Sequence, residues 1–563
     1  LLLNEFSTKL GIKYEEAQLN GKPKKRLLRI EDIEALKPFH WGYHFDKIIE
    51  KQGGFDAIIT NPPWEIFKPI DREFGKSFDS EIERRNTDAK IFKQKFSKLL
   101  KDSKILQEYL KYQSQFPYIS AYYRSAEQYK NQIAIVKGRK AGTDINLYKL
   151  FVEQCFNLLH SGGYCGIIVP TGIYTDLGTK QLREMLFTQS QLNTLFGISN
   201  ERFIFEGVDH RFKFCLLTFR RGISTDSFLA AFRIDPREAI HSSQLERFLN
   251  DRDEQVEISV PLVYRLSPDS LSVMEFRSEL DITIAEKMSK FPLLGEKITD
   301  KWNLQLTSEF HMTNDSHLFN QQSGKGRLPL YEGKMIHHFN HQSGLPRLWI
   351  SEDEGRSQLL GRTADTGQIL DYQQYRFAYR SITGSTNQRT MVCSILPNNV
   401  FCGNSLNISK RENNLISNNA LVYLTAIVSS FVLDYALRQR VATQLNIFFV
   451  YQLPVPRLTE GDRYFNEIVA RAAKLICTTP EFDDLAAEVG LGSHQNGVTN
   501  EVERAKLRAE LDGIIAHLYE LTEEEFAYVL TTFPVVPEPV KVAALNAYRD
   551  VERGLIKLGK VQC

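Results

Sequence analysis

The sequence predicts an α/β fold: a doubly wound sheet, then a mixed β-rich region, then a helical C-terminal region. Three observations carry this. The run Phe55-Asp56-Ala57-Ile58-Ile59-Thr60 has the apolar, β-branched character of a strand and stops at Asn61-Pro62-Pro63-Trp64. Apolar residues recur at helical spacing from Leu147 to His160, and Tyr164-Cys165-Gly166-Ile167-Ile168-Val169-Pro170 follows as a buried parallel strand. Beyond about residue 222 the segments shorten and fill with Gly, Ser, Asn and Gln, and beyond Pro456 helical patterning returns. A chain of 563 residues exceeds one core. Three parts are therefore expected, at 1–222, 223–456 and 457–563.

The remaining elements follow in order. A charged, helix-patterned insertion runs from about 81 to 132. Ser161-Gly162-Gly163 is expected to stop the helix at 147–160, as glycine after a helix does. A helix near 180–187 precedes strands at 191–198 and 213–219. Strands alternating with helices imply the doubly wound sheet. A linker is expected at 251–267 and a helix at 421–440, with Leu453-Pro454-Val455-Pro456 marking a boundary. Helices are then expected at 462–477, 500–519 and 523–532.

Composition excludes several classes. The net charge is +1 with 25% charged residues, so any nucleic-acid surface is local rather than global. Seven cysteines are scattered without a CxxC pair, which indicates reduced core thiols of a prokaryotic cytoplasm and neither a disulfide framework nor a zinc site. No apolar stretch suits a bilayer and no signal peptide is visible, so no membrane partner is expected. His337, His338 and His341 lack an acidic or cysteine partner at ligand spacing, and no metal is expected. Lys22, Lys24 and Lys25 read as solvated loop residues; Lys137, Arg139 and Lys140 read as a loop or as contacts to a nucleic-acid backbone.

The loop at Asn61 points to amine chemistry. Pro62 and Pro63 have no N–H and fixed φ, so the loop is stiff and offers carbonyl acceptors. Trp64 follows with a ring that can stack on something flat. Such a loop suits an exocyclic amine.

Asn-Pro-Pro-Trp after a buried strand resembles the catalytic motif of amino-group methyltransferases that use S-adenosylmethionine. The resemblance extends through Phe39-His40-Trp41-Gly42-Tyr43-His44-Phe45, Gly53-Gly54-Phe55-Asp56, Asn146-Leu147-Tyr148 with Phe151, Val169 to Asp176, and Phe203-Ile204-Phe205-Glu206. Together these are similar to the large N6-adenine DNA methyltransferases of restriction–modification and phage-defence systems, including type IIG enzymes. The resemblance implies a Rossmann-like sheet, S-adenosylmethionine as cofactor, and a specific duplex DNA sequence as substrate, with the base flipped out. It implies catalysis by Asn61, Pro62, Pro63 and Trp64, with Trp64 and Phe205 stacking on the base. For the cofactor it implies Phe151 and Asp56, although Asp56 reads equally as orienting the loop or merely capping the strand. Trp41 and Phe45 either frame the cofactor pocket or pack under the loop.

The 223–456 region resembles the same enzymes more loosely. Leu330 to Ile336 opens a shared segment, and Arg380 to Thr390 is rich in groups that bond phosphates and base edges. Arg380, Asn387 and Arg389 are the DNA-reading candidates, with a solvated turn as the alternative. A glycine-rich turn and an acidic residue for the cofactor ribose do not precede Asn61. An N-terminal part is therefore expected in a longer chain or another subunit, together with any nuclease domain, since no paired-acid-plus-Lys constellation is found. Competing functions are an RNA or protein-glutamine N-methyltransferase, and a DNA-specificity fragment without catalysis.

Overall fold

The computed structural model describes residues 1–558 apart from 80–88, 137, 141, 143, 201–203, 207, 209–211, 235–245, 247, 248, 384–386, 412–414 and 440–443. Lys137, Phe203, Cys563, the start of the 81–132 insertion and the middle of the Arg380–Thr390 segment lie outside the described residues. The chain forms two compact units, Leu1–Ser278 and Glu279–Cys563.

The first unit is built on a six-stranded mixed sheet. Its strands are β1 (Phe55–Thr60), β2 (Leu159–Pro170), β3 (Ser190–Ser199), β4 (Lys213–Arg221), β5 (Ser227–Ile234) and β6 (Val256–Ser259). The spatial order is β6-β5-β3-β4-β2-β1. β1 and β2 run parallel, with Thr60 opposite Ile167, whereas β4 is antiparallel to both β2 and β3. The β1–β2 crossover is long enough to hold two helices, α1 (Ser103–Ser125) and α2 (Leu147–Leu158), as a parallel connection requires. A third, α3 (Lys180–Gln189), joins β2 to β3. A smaller cluster of Phe6, Ile12, Tyr14, Leu28 and Ile33 packs with Tyr118 of α1.

Three local expectations change. α2 ends at Leu158, and Leu159 is already extended. The glycines then serve the sheet: a Cβ on Gly163 would lie 2.7 Å from the Phe55 carbonyl, so only glycine permits that approach of β2 to β1. The stretch expected as a linker at 251–267 instead holds β6 and the helix Val260–Leu266, started by a proline in its first turn. The sheet thus continues past residue 222, because β5 pairs parallel with β3 and β6 pairs with β5.

The second unit combines a four-stranded sheet, whose longer strands are β7 (Arg376–Arg380), β8 (Cys393–Leu396) and β9 (Leu406–Ser409), with a three-stranded sheet and a helical layer. The expected helix at 421–440 is two helices, α4 (Asn418–Ser429) and α5 (Phe431–Arg438), bent by 61°. Ser430 makes the break, leaving the helical region and capping Leu433 with its hydroxyl. The tail holds α6 (Phe465–Ile476), α7 (Glu501–Leu518), α8 (Glu523–Thr531) and α9 (Glu538–Glu552). No single helix among the described residues is long and apolar enough to cross a membrane, and the bent pair α4–α5 is buried in this unit's core. Six cysteines are buried free thiols.

Candidate functional site

β1 and β2 end side by side in parallel, so Asn61 and Thr171 leave the sheet at its carboxyl edge, where open α/β sheets hold ligands. Asn61 is exposed, Pro62 is buried and Pro63 is exposed, so the loop is anchored at its middle. Past Trp64 the chain is stitched to the start of α2: the Leu147 N–H donates to the Glu65 carbonyl at 2.9 Å and the Phe67 N–H to that of Ile145 at 2.7 Å. This brings the Asn61 loop together with the Asn146-Leu147-Tyr148 segment.

Trp64 sits in an aromatic box. Phe205 meets it edge-on, with ring centroids 5.2 Å apart and planes at 74°. Phe212 lies nearly parallel to it, 6.2 Å away at 14°, and is 45% exposed. Phe214 closes the group at 6.1 Å. The indole Nε1 is buried without a hydrogen-bond partner among the described residues. Asn200, fully buried at the end of β3, holds the Phe205 loop by accepting from the Phe205 N–H at 2.9 Å and donating to the Phe205 and Val208 carbonyls. Asn200 and Phe212 escaped sequence reasoning: Asn200 acts on backbone groups five and eight residues on that only the folded loop turns toward it, and Phe212 meets Trp64 from far along the chain.

The turn after β2 is equally determined. Arg183 of α3 is buried and donates to the carbonyls of Ile173 at 2.7 Å, Asp176 at 2.6 Å and Ser270 at 2.6 Å. Burial pushes its guanidinium down to about 9. Tyr174 donates to Glu275 at 3.0 Å, and Lys213 reaches the other oxygen of that carboxylate at 3.4 Å. Buried Glu153 of α2 accepts from Asn131 and Gln132, and burial raises its carboxyl.

The four cofactor candidates separate. Phe151 is 41% exposed and lies about 6 Å along α2 from its start, close to the stitched segment. Trp41 and Phe45 instead pack on Phe55, at 6.1 and 5.3 Å between centroids. That is the opposite end of β1, roughly 20 Å from Asn61 by strand rise. Asp56 is there too, exposed, its carboxylate 3.1 Å from His160 Nε2.

The DNA-reading candidates belong to the second unit. Arg380 donates to the Ile336 carbonyl and is partly buried, which lowers its pKa. Asn387 is exposed, with its amide 3.3 Å from the Thr383 hydroxyl. Arg389 is withdrawn from solvent, its guanidinium 3.4 Å above the Phe431 ring and the side chain 14% exposed. His341 meets Phe482 edge-on, and burial pulls it down to about 4. No group of three or more metal-ligating side chains occurs among the described residues.

Comparison with known proteins gives three kinds of likeness. A Methanocaldococcus jannaschii protein named as an inferred type II restriction enzyme and methyltransferase is 23% identical over 290 residues, 48% of this chain and 19% of its own length. The chain thus spans about a fifth of that relative. Among solved structures, the type IIL restriction–modification enzyme MmeI in complex with DNA has a TM-score of 0.40 at 11% identity, covering 88% of this chain and 58% of its own. The type IIG restriction endonuclease BpuSI has a TM-score of 0.25 at 13% identity, covering 68% of this chain and 51% of its own. The resemblance read from the Asn-Pro-Pro-Trp loop and its companion motifs is borne out: over residues 1–112 and 116–205 the chain matches the Eco57I restriction-modification methylase family.

Proposed function

We propose that this chain is the catalytic and recognition portion of a DNA methyltransferase that transfers a methyl group from S-adenosylmethionine to the N6 amine of adenine in a specific duplex sequence. The observation that carries the reading is the Asn61-Pro62-Pro63-Trp64 loop, which stands at the carboxyl edge of a parallel strand pair against an aromatic box. Adenine N6 is a poor nucleophile because its lone pair is delocalised into the ring. The Asn61 side-chain oxygen and the Pro62 carbonyl accept its two hydrogens and draw the nitrogen toward tetrahedral geometry, so the lone pair becomes available. This is positioning plus electrostatic stabilisation. Trp64 offers its ring to a base taken out of the stack, and Phe205 braces Trp64 edge-on.

S-adenosylmethionine, when bound, supplies an electrophilic methyl on a sulfonium sulfur. Of the residues suggested for it, Phe151 fits by exposure and by its place on α2, and would meet the adenine ring of the cofactor. Trp41 and Phe45 serve as packing for β1, with Asp56 paired to His160 beside them. Duplex DNA is the proposed partner, and Asn387 the most accessible of the three side chains proposed to read it.

The test is methyl transfer from labelled S-adenosylmethionine to duplex oligonucleotides by the full-length protein. Asn61→Ala is expected to lower the rate at least about a hundredfold while leaving DNA binding intact. Equal activity of the variant would remove Asn61 from catalysis. Label appearing on RNA or protein and never on duplex DNA would replace the substrate. Binding of DNA without any transfer would favour a specificity fragment.

A further inference from the structure

A cavity of about 390 Å³ lies within the second unit, between the turn at His337–Asn340, the segment at Gln388–Arg389, and helices α4, α7 and α9. Three arginines line it, Arg389, Arg504 and Arg508, with two carboxylates, Glu501 and Asp512, and each arginine lies 3.4 Å or more from its carboxylate. Arg389 has Asp512 as its nearest carboxylate at 3.9 Å. Arg508 reaches Glu501 only at 3.4 Å and Arg504 reaches the same carboxylate at 3.7 Å, and Glu501 is 78% exposed. Other arginines of this unit behave differently: Arg347, Arg356, Arg471 and Arg549 approach carboxylates at 2.6 to 2.7 Å. Three cations against two carboxylates leave the cavity with a net positive charge, whose potential the low dielectric around it strengthens.

Two further features fit a ligand. His338 lines the cavity with a buried Nε2 that has no hydrogen-bond partner among the described residues. Buried polar groups are ordinarily satisfied, so an unsatisfied one on a cavity wall marks a place for a polar atom. Burial and the neighbouring arginines keep His337 and His338 neutral at pH 7, so His338 keeps either a donor or an acceptor to offer. The rest of the lining mixes apolar side chains, among them Phe339, Leu511 and Val540, with the hydroxyls of Ser343, Ser429 and Ser430. An apolar chamber with a few convergent polar groups is the usual form of a small-molecule site, and the volume suits one nucleotide-sized ligand.

We infer that this cavity binds a free phosphorylated small molecule of mononucleotide size, with Arg389 and Arg508 on the phosphate and the apolar wall against the remainder. Stacking on Phe431 holds the Arg389 plane fixed, which suits the flat, two-pronged recognition of a phosphate. The inference does not depend on the chemistry at Asn61, since every residue it uses lies in the second unit, but it assigns Arg389 to a free phosphate in place of the DNA-reading role proposed for it above.

The test is calorimetric titration of the chain with a 5′-mononucleotide, with orthophosphate as a competitor. Saturable binding is expected, displaced by orthophosphate and weakened at least about tenfold by Arg508→Gln. Arg347→Gln, at a side chain 60% exposed and outside the cavity, should leave it unchanged. Circular dichroism and the unfolding midpoint of Arg508→Gln, whose side chain is 37% exposed, report that the fold is kept. Absence of saturable binding, or equal affinity in Arg508→Gln, overturns the inference. So does a result in which Arg508→Gln weakens only duplex DNA binding, since the phosphate would then belong to DNA.

Discussion

Gly172 follows β2 after Thr171 and is pressed between two side chains: a Cβ added there would lie 2.5 Å from Asp176 Oδ2 and 2.8 Å from Tyr148 Oη. The Asp176 carboxylate is exposed and can turn aside, so the contact with Tyr148 sets the cost. Tyr148 is buried in α2, and the Asp176 backbone is held by buried Arg183. Gly172→Ala is therefore expected to destabilise the first unit by about 1–3 kcal/mol through overpacking, read as a lower urea midpoint at unchanged slope. A midpoint equal to that of the parent would mean the turn can yield. The same logic separates readable residues from hidden ones. Asn61, Pro62 and Pro63 announce themselves because proline chemistry is local to the chain. Asn200 and Arg183 act on backbone atoms that only the folded sheet brings to them, so neither shows in the sequence.

At the scale of elements, α5 and α7 are joined to the segment before β8 through buried carboxylates. Asp434 accepts from the Thr390 and Met391 N–H groups at 2.9 and 2.6 Å, and Asp512 accepts from the Phe431 N–H at 2.8 Å. Asp512 faces Arg389, Arg508 and Asp434, yet burial outweighs the arginines and raises its carboxyl to about 6. A raised carboxyl takes up a proton in the folded state before the unfolded chain does. The folded state therefore gains stability as pH falls from about 6 toward the ordinary carboxylate range, by about 1–3 kcal/mol. Asp512→Asn should remove this gain, so the difference in melting temperature between parent and variant should shift toward the parent between pH 7 and 4. A pH-independent difference would refute the assignment. Elements with local punctuation were legible: β1 and α7 fall where apolar spacing puts them, and β2 does so from Tyr164 onward, although it starts at Leu159. The break at Ser430 was not, because an apolar run reads the same whether straight or bent. α9 falls in the region expected to be helical but was not picked out as a helix of its own; prolines at 537 and 539 sit at its start.

For the whole molecule, two units each enclose their own core, and the sheet of the first ends at β1. Most sheets blunt such an edge with lysine, proline or a covering loop. Here the strand is Phe-Asp-Ala-Ile-Ile-Thr, its outer side meets no strand among the described residues, and Ile59 is 89% exposed. Its backbone groups and its apolar side chain are thus offered together. Handled at high concentration without a cover on that side, this polypeptide should lose monomer over time. Light scattering is expected to show growth with concentration that Ile59→Lys suppresses without lowering the unfolding midpoint. Equal growth in both would absolve the edge. The strand that delivers Asn61 to its loop is also the strand that sets how dilute the protein must be kept.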